Sequence, residues 1–238
     1  GIAIPSYPSH WMGLNPDFFQ SVDIRLQALW ENGLLIAAHP TWFSEFSVSL
    51  EEAQFLSRYL WARYGAYNLI WSLSGEYSTA YVNSVNAFGT ADWEALGLFV
   101  AQLGGHPHPM TIHPRNYVTT RPNVSFSSSH EFHSSSWLDH NWIQSFFYLE
   151  ETARQVSADY AREPRKPVIH AEGAYEAGYP AGYNLTMDYE FIDDDLVRLQ
   201  AWTAYLHGAA GHTYGAHGVW PMYDPSFADP GHHDQYTN

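Results

Sequence analysis

The feature that most constrains the fold of this chain is a regular alternation of short apolar runs and capped, amphipathic segments. Asn15 and Pro16 open a predicted helix, and Ser49 with Glu52 three residues later matches a capping box that opens the next one. Between these helix starts lies a short apolar run bounded by glycine and proline, as expected for a buried strand. Six strands are predicted in this way, near residues 34–38, 68–73, 110–113, 138–144, 168–171 and 212–215.

Strands that alternate with helices of ten to twenty residues indicate βαβ units and a parallel sheet. An eight-stranded barrel would need two more strands, whereas an open doubly wound sheet can stop at six, so the count alone leaves both architectures open. The chain has 238 residues, 45% of them apolar, and can bury one substantial core. We therefore expect a single domain over residues 1–238.

The composition argues against several classes of function. A formal net charge of −15, from 25 acidic and 10 basic side chains, disfavours binding to nucleic acid or to an anionic membrane. No run approaches the ~20 apolar residues of a membrane span. The absence of cysteine excludes a disulfide framework, a thiolate metal site and a cysteine nucleophile. Aromatic residues make up 17% of the chain, which suits either stacking on sugar rings or a tryptophan-rich core.

Two glutamates follow predicted strands and are the candidates for catalysis. Glu76 comes after the strand at 68–73 and a Ser-Gly bend, and Glu172 comes directly after the strand at 168–171. In parallel α/β proteins reactive side chains lie beyond the carboxyl ends of strands, where a carboxylate is costly to bury unless it is catalytic or paired. Either glutamate alone could equally cap a helix or bind an arginine. Together, on separate strands, they match the pair of carboxylates that glycoside hydrolysis requires.

Further polar and aromatic side chains near these strand ends suit the hydroxyl groups and ring faces of a sugar. The predicted substrate-binding residues are His39, Trp42, His113, Gln144, Tyr175, Tyr214, His217 and Trp220. Tyr175 and Tyr214 are also candidates for a hydrogen bond to the Glu172 carboxylate. We expect no cofactor and no catalytic metal, since none of the 14 histidines lies in a His-Glu-x-x-His motif.

Seven segments carry a family resemblance that runs almost the length of the chain. They are Asn15-Pro-Asp-Phe-Phe, His39-Pro-Thr-Trp42, Asn68-Leu-Ile-Trp-Ser-Leu-Ser-Gly-Glu76, Met110-Thr-Ile-His-Pro114, Trp137-Leu-Asp-His-Asn-Trp-Ile-Gln-Ser145, Lys166-Pro-Val-Ile-His-Ala-Glu-Gly-Ala-Tyr-Glu176 and Gly208-Ala-Ala-Gly-His-Thr-Tyr-Gly215. In this order they resemble the apiosidase-like glycoside hydrolases, family 140, whose barrel belongs to clan A of retaining hydrolases.

The resemblance implies a (β/α)₈ TIM barrel in which Glu76 follows the fourth strand as the acid/base and Glu172 follows the seventh as the nucleophile. It also implies a retaining enzyme that cleaves plant cell-wall polysaccharides such as pectic side chains, in a secreted or periplasmic location. The family usually has Gly-Gly-Asp where this chain has Ser74-Gly75-Glu76. Because glutamate reaches one methylene group further than aspartate, we expect a different pocket or preferred sugar.

The same strand numbering predicts that the barrel is incomplete in this chain. The residues before Asn15 are too few for two strands and a helix, and the sequence ends soon after the last predicted strand. The first βαβ unit and the last helix would then be missing, and part of the usual core would be exposed or covered by another chain.

Two alternative functions stay open at this point. A carbohydrate-binding barrel without turnover would need the aromatic side chains but not two glutamates directed at one bond. A metal-dependent hydrolase would lose its metal on chelation.

Overall fold

A computed structural model describes residues 14–41, 49–77, 88–105, 107–115, 126–178 and 192–216. The helices within these ranges are α1 (Pro16–Glu31), α2 (Leu50–Tyr64), α3 (Thr90–Ala101), α4 (Ser129–Phe132), α5 (Leu149–Tyr160) and α6 (Asp194–Leu206). The strands are β1 (Ile36–Ala38), β2 (Leu69–Ser72), β3 (Met110–Thr111), β4 (Asn141–Phe146), β5 (Val168–Gly173), β6 (Tyr175–Glu176), β7 (Gly211–His212) and β8 (Gly215–Ala216). This alternation of helices and strands confirms the predicted α/β class.

The predicted helix starts are confirmed by their capping hydrogen bonds. The Asn15 side chain accepts from the backbone N–H of Asp17 at 3.0 Å, and Ser49 and Glu52 form a reciprocal capping box. Each of these bonds satisfies an amide that the first helical turn would otherwise leave unpaired. Among the described helices, none is both long enough and apolar enough to cross a membrane.

The described strands pair in parallel sheets. One sheet has the order β1-β2-β3, with Ala38 opposite Trp71 and Trp71 opposite Met110. A second sheet has the order β4-β5-β7, and β6 pairs with β8 alone. The central strand of each three-stranded sheet, β2 or β5, is the strand that leads to one of the two predicted catalytic glutamates.

All six predicted strands are present, but several of their ends were predicted wrongly. The strand β3 ends at Thr111 rather than at 113, and β5 continues to Gly173, so Glu172 lies on the strand and not directly after it. The fourth does not end at Gln144, because β4 continues to Phe146, where a φ of 54° turns the backbone out of the extended conformation. Gln144 therefore lies inside a strand and not beyond its end. The last predicted strand divides into β7 and β8, because its partner is itself interrupted at Ala174 between β5 and β6.

The chain divides into two compact units, Ile4–Trp142 and Ile143–Asn238 with Gly1–Ala3. The first unit has one large apolar core, in which the rings of Trp61 on α2 and Trp71 on β2 lie 5.3 Å apart. The second unit has two smaller apolar clusters of its own. A single domain over residues 1–238 and an incomplete barrel both stay predictions.

Most tryptophans in the described ranges belong to the core. Five of these seven side chains are at most 8% exposed, namely Trp61, Trp71, Trp93, Trp137 and Trp142. Trp30 and Trp202 are the exceptions, with 51% and 60% of their surface exposed. Packing therefore accounts for the five buried tryptophans without any contact to a sugar.

Candidate active site

The segment that carries Glu76, in the first unit, is hydrogen-bonded through its backbone on both sides. Gly75 N–H donates to the carbonyl of Thr41, beyond the end of β1, at 2.9 Å. Tyr77 N–H donates to the carbonyl of His113, beyond the end of β3, at 3.0 Å. Hydrogen bonding between the segments thus continues past the end of β2, and it fixes Glu76 at the carboxyl edge of the β1-β2-β3 sheet.

Glu76 itself has an uncommon backbone conformation. Its φ is 47°, in the left-handed region, and its side chain is half-buried. A residue with a Cβ atom loses about 1–2 kcal/mol in this region and keeps the conformation only where the surroundings enforce it. The bonds of Gly75 and Tyr77 provide that enforcement. Because such residues cluster at functional sites, the conformation supports a functional role for this carboxylate.

Three histidines and Trp142 form a cluster of rings in the first unit. The ring centroid of Trp142 lies 5.5 Å from that of His39 and 5.8 Å from those of His113 and His140. Burial, and then the neighbouring His113, lower the pKa of His39 to about 3, and burial lowers the pKa of His140 to about 4. Both rings are therefore neutral near pH 7. A neutral imidazole offers one donor and one acceptor, which matches a sugar hydroxyl group.

His39 and His113 were expected from the sequence, whereas His140 and Trp142 were missed. The prediction considered only the carboxyl ends of strands, whereas His140 directly precedes β4 and Trp142 is its second residue. The alternation of side chains along a strand is the signal that would have identified them. His140, Trp142 and Gln144 are alternate residues, so they share one face of an extended segment.

The second unit holds Glu172 and its nearest rival, Glu176, and each carboxylate accepts a hydrogen bond from its own tyrosine. The Tyr175 hydroxyl donates to Glu172 at 3.1 Å, and the Tyr214 hydroxyl donates to Glu176 at 2.7 Å. Glu172 lies on β5, the central strand of its sheet, whereas Glu176 lies on the two-residue strand β6. Tyr175, one of the two tyrosines proposed as partners of Glu172, makes this bond.

A buried polar network lies next to Glu172 on β5. The Nε2 atom of His170 is 2.7 Å from the hydroxyl of Ser145, and its Nδ1 atom is 2.8 Å from Nδ1 of His212. Burial, and then His212, lower the pKa of His170 to about 3. A serine beside a histidine can be a nucleophile, but Ser145 and His170 are both fully buried. This pair therefore supports the strand and is closed to a substrate.

The remaining predicted site residues have different positions. Gln144 is 1% exposed within β4, and Tyr214 is 59% exposed next to β8. Trp42, His217 and Trp220 lie outside the described residues. Of the histidine, aspartate and glutamate side chains in the described ranges, no three lie close enough together to hold a metal ion.

Comparison with known proteins gives one family and several similar folds. Residues 5–237 match the family model described as "Apiosidase-like, catalytic domain". A solved glycoside hydrolase family 5 structure from Bacteroides vulgatus ATCC 8482 is 23% identical, with a TM-score of 0.74 over 92% of this chain and 48% of that one. Another solved structure, described as "Glycoside hydrolase", is 25% identical, with a TM-score of 0.73 over 92% and 51% of the two chains. The chain thus spans about half the length of these structures. No curated protein matches it.

Proposed function

Because the chain belongs to the apiosidase-like catalytic domain family, we propose that it is a retaining glycoside hydrolase with Glu76 as acid/base and Glu172 as nucleophile. One observation carries the proposal. Each glutamate lies at the carboxyl end of the central strand of a three-stranded parallel sheet, which is the edge where α/β enzymes hold their reactive groups. The fold shared with solved glycoside hydrolases supports the same conclusion.

The proposed reaction has two steps, in which Glu76 acts first as an acid and then as a base, while Glu172 forms and then releases a covalent bond to the sugar. The Glu172 carboxylate attacks the anomeric carbon, the bond to the leaving oxygen breaks, and Glu76 donates a proton to that oxygen. Glu76 then removes a proton from water, which attacks the same carbon and releases Glu172. Two displacements at one carbon leave the configuration of the sugar unchanged.

The contacts around Glu172 favour it over Glu176 as the nucleophile. Glu172 belongs to a six-residue strand, and Tyr175, three residues on, orients its carboxylate. Glu176 is held by Tyr214, which is mostly exposed to solvent. A nucleophile must keep one position relative to the anomeric carbon, and the longer strand provides the firmer support.

The proposed substrate is a neutral side chain of a plant cell-wall polysaccharide, of the pectic type. The rings of His39 and His140, which are neutral near pH 7 and lie in the ring cluster around Trp142, suit sugar hydroxyl groups. The net charge of −15 disfavours a densely anionic ligand. A secreted or periplasmic location is part of this proposal, because polymeric substrates of this kind lie outside the cell.

The test is hydrolysis of pectic oligosaccharides and aryl glycosides by the purified full-length protein and by variants at three glutamates. Glu172→Gln should abolish turnover of both substrates. Glu76→Gln should slow oligosaccharide hydrolysis about 10²–10⁴-fold but affect aryl glycosides with good leaving groups much less, since those groups need little protonation. Glu176→Gln is the matched control and should keep most of the activity.

Several outcomes would contradict the assignment. An inverted product anomer, measured by NMR immediately after cleavage, would exclude double displacement. Loss of activity in Glu176→Gln with activity retained in Glu172→Gln would identify Glu176, and not Glu172, as the nucleophile. Tight sugar binding without any released sugar would favour a carbohydrate-binding protein, and activity lost to a chelator would favour a metal-dependent hydrolase.

A further inference from the structure

We propose that Gln200, on α6, is a positioning residue that fixes the backbone on the carboxyl side of Glu172. Gln200 is completely buried, and its side-chain amide bonds to two strand ends at once. Its Nε2 donates to the carbonyl of Phe146, at the end of β4, at 2.5 Å. Its Oε1 accepts from the backbone N–H of Ala174, directly after β5, at 2.8 Å. The inference rests on the proposed function of Glu172.

An amide group suits this position because the side chain must donate one hydrogen bond and accept another. Beyond the ends of β4 and β5, the carbonyl of Phe146 and the N–H of Ala174 are buried groups that each need a partner. Glutamine supplies one donor group and one acceptor oxygen, whereas a carboxylate supplies acceptors only and an aliphatic side chain supplies neither. Gln200 therefore ties two neighbouring strand ends together with a single side chain.

Further donor contacts hold the Gln200 amide in one orientation. Its Nε2 atom is also 3.0 Å from the hydroxyl of Thr152 on α5 and 3.3 Å from that of Ser145 on β4. These two hydroxyl groups are themselves 2.6 Å apart, and Ser145 contacts His170 on β5. A fully connected buried network of this kind has little freedom to move.

The residue between Glu172 and Ala174 provides independent support. A Cβ atom added to Gly173 would lie 2.5 Å from Oε1 of Gln200 and 2.7 Å from Cε1 of His170. Real Cβ atoms do not approach other heavy atoms so closely, so a side chain at position 173 would displace the amide. Glycine next to the proposed nucleophile is thus explained by the space that Gln200 needs.

Gln200 should affect catalysis through the position of the proposed nucleophile. Ala174 is two residues from Glu172, and Phe146 is two residues from Gln144, so Gln200 sets the backbone beside both side chains. A displacement of a reacting group by about 1 Å can slow an enzyme about 100-fold. Loss of the amide should therefore reduce kcat more than it changes KM.

The experiment compares two buried glutamines on neighbouring helices. Gln200→Met removes both hydrogen bonds at nearly constant volume. Gln155→Met makes the same change on α5, where Gln155 is 1% exposed and its Nε2 has no partner among the described residues. We expect kcat to fall about 30–100-fold in Gln200→Met, with KM changed by less than about threefold, and both to stay near wild type in Gln155→Met.

Two further measurements separate positioning from a general loss of stability. In Gln200→Glu, activity should fall as the pH rises, because the protonated carboxyl can donate to Phe146 and the ionised one cannot. Hydrogen exchange of the Ala174 amide should become faster in Gln200→Met and stay slow in Gln155→Met.

The outcomes distinguish this inference from the proposed function. Equal kcat in Gln200→Met and Gln155→Met, in an active enzyme, would overturn the positioning role. If the wild type cleaves no glycoside, the proposed function fails, and the exchange rate of Ala174 still decides whether Gln200 holds this segment. Unchanged exchange in Gln200→Met would reject the inference independently of activity.

Discussion

At the scale of single residues, backbone strain marks the ends of the strands that carry candidate site residues. Three described residues other than glycine have a positive φ: Glu76 at 47°, Phe146 at 54° and Ala177 at 61°. Glu76 lies beyond β2, Phe146 ends β4, and Ala177 directly follows Glu176. Glutamate, phenylalanine and alanine give no sequence signal for this conformation. It arises from nonlocal hydrogen bonds such as those on either side of Glu76.

The conformation of Glu76 predicts an unusual order of stability for two variants. At φ 47° alanine keeps the Cβ strain of the wild type and glycine removes it, although glycine also makes the unfolded chain more flexible. Glu76→Gly should therefore be more stable than Glu76→Ala by about 0.5–1 kcal/mol, measured by urea unfolding. Both should be inactive on oligosaccharides.

Ala62 on α2 provides the control for this comparison. This exposed alanine has a helical backbone, so Ala62→Gly should lower the free energy of unfolding by about 0.5–1 kcal/mol, the opposite sign. If Glu76→Gly is less stable than Glu76→Ala, the backbone of Glu76 is not in the left-handed region.

At the scale of helices and strands, α3 depends on a close contact between a glycine and a tryptophan ring. A Cβ atom at Gly97, inside α3, would overlap the ring of Trp137. The ring cannot easily move away, because it is 2% exposed and its Nε1 donates to Glu94 on the same helix at 2.9 Å. Gly97 therefore lets the helix and this ring approach each other.

This contact predicts that Gly97→Ala is destabilising. Alanine normally stabilises a helix interior by about 0.5–1 kcal/mol relative to glycine, but overpacking a core costs about 1–3 kcal/mol. The overlap with Trp137 should decide the sign, and thermal unfolding should show a lower Tm. Gly104→Ala is the matched control, because no atom lies within 4 Å of its added Cβ, and it should change stability by less than about 0.5 kcal/mol. Equal Tm values in the two variants would contradict the close contact between Gly97 and the Trp137 ring.

Elements whose signals are local were predictable from the sequence, and elements set by distant partners were not. The starts at Asn15 and Ser49 depend on side chains within three residues, and both were predicted correctly. The end of β4 and the division between β7 and β8 depend on strands far along the chain, and both were missed.

The same difference applies to the candidate site. His39 and His113 were proposed as site residues because each follows an apolar run, and the structure brings their ring centroids to 5.7 Å from each other. His140 and Gln200 were missed because their relevant contacts are to other elements: a ring cluster for His140, and the ends of β4 and β5 for Gln200. A helix interior such as α6 carries no local sign that one glutamine binds two strand ends.

At the scale of the whole molecule, acidification has two opposing effects on stability. The net charge of −15 near pH 7 moves towards zero as the pH approaches the isoelectric point of about 5.2, which relieves repulsion between surface charges. Buried histidines act in the other direction, because they are neutral in the folded chain and take up protons when it unfolds. Surface repulsion is screened within about 8 Å at physiological ionic strength, whereas burial of an imidazole is not screened.

The buried histidines should therefore prevail, and the folded chain should lose stability as the pH falls below about 6.5. Burial lowers the pKa of His39 and His170 to about 3 and that of His140 to about 4, from an ordinary value of 6.5. Between these values the unfolded chain binds more protons than the folded one, so the free energy of unfolding decreases with decreasing pH, by up to about 1.4 kcal/mol per histidine for each pH unit. Urea unfolding followed by tryptophan fluorescence at pH 7.5, 6.5 and 5.5 measures this slope.

His140→Gln should make the slope shallower, because the variant removes one proton-binding group. Neither ring nitrogen of His140 has a hydrogen-bond partner among the described residues, so the variant breaks no such bond there. Stability that is constant or rises between pH 6.5 and 5.5 would mean that relief of surface repulsion outweighs the buried histidines.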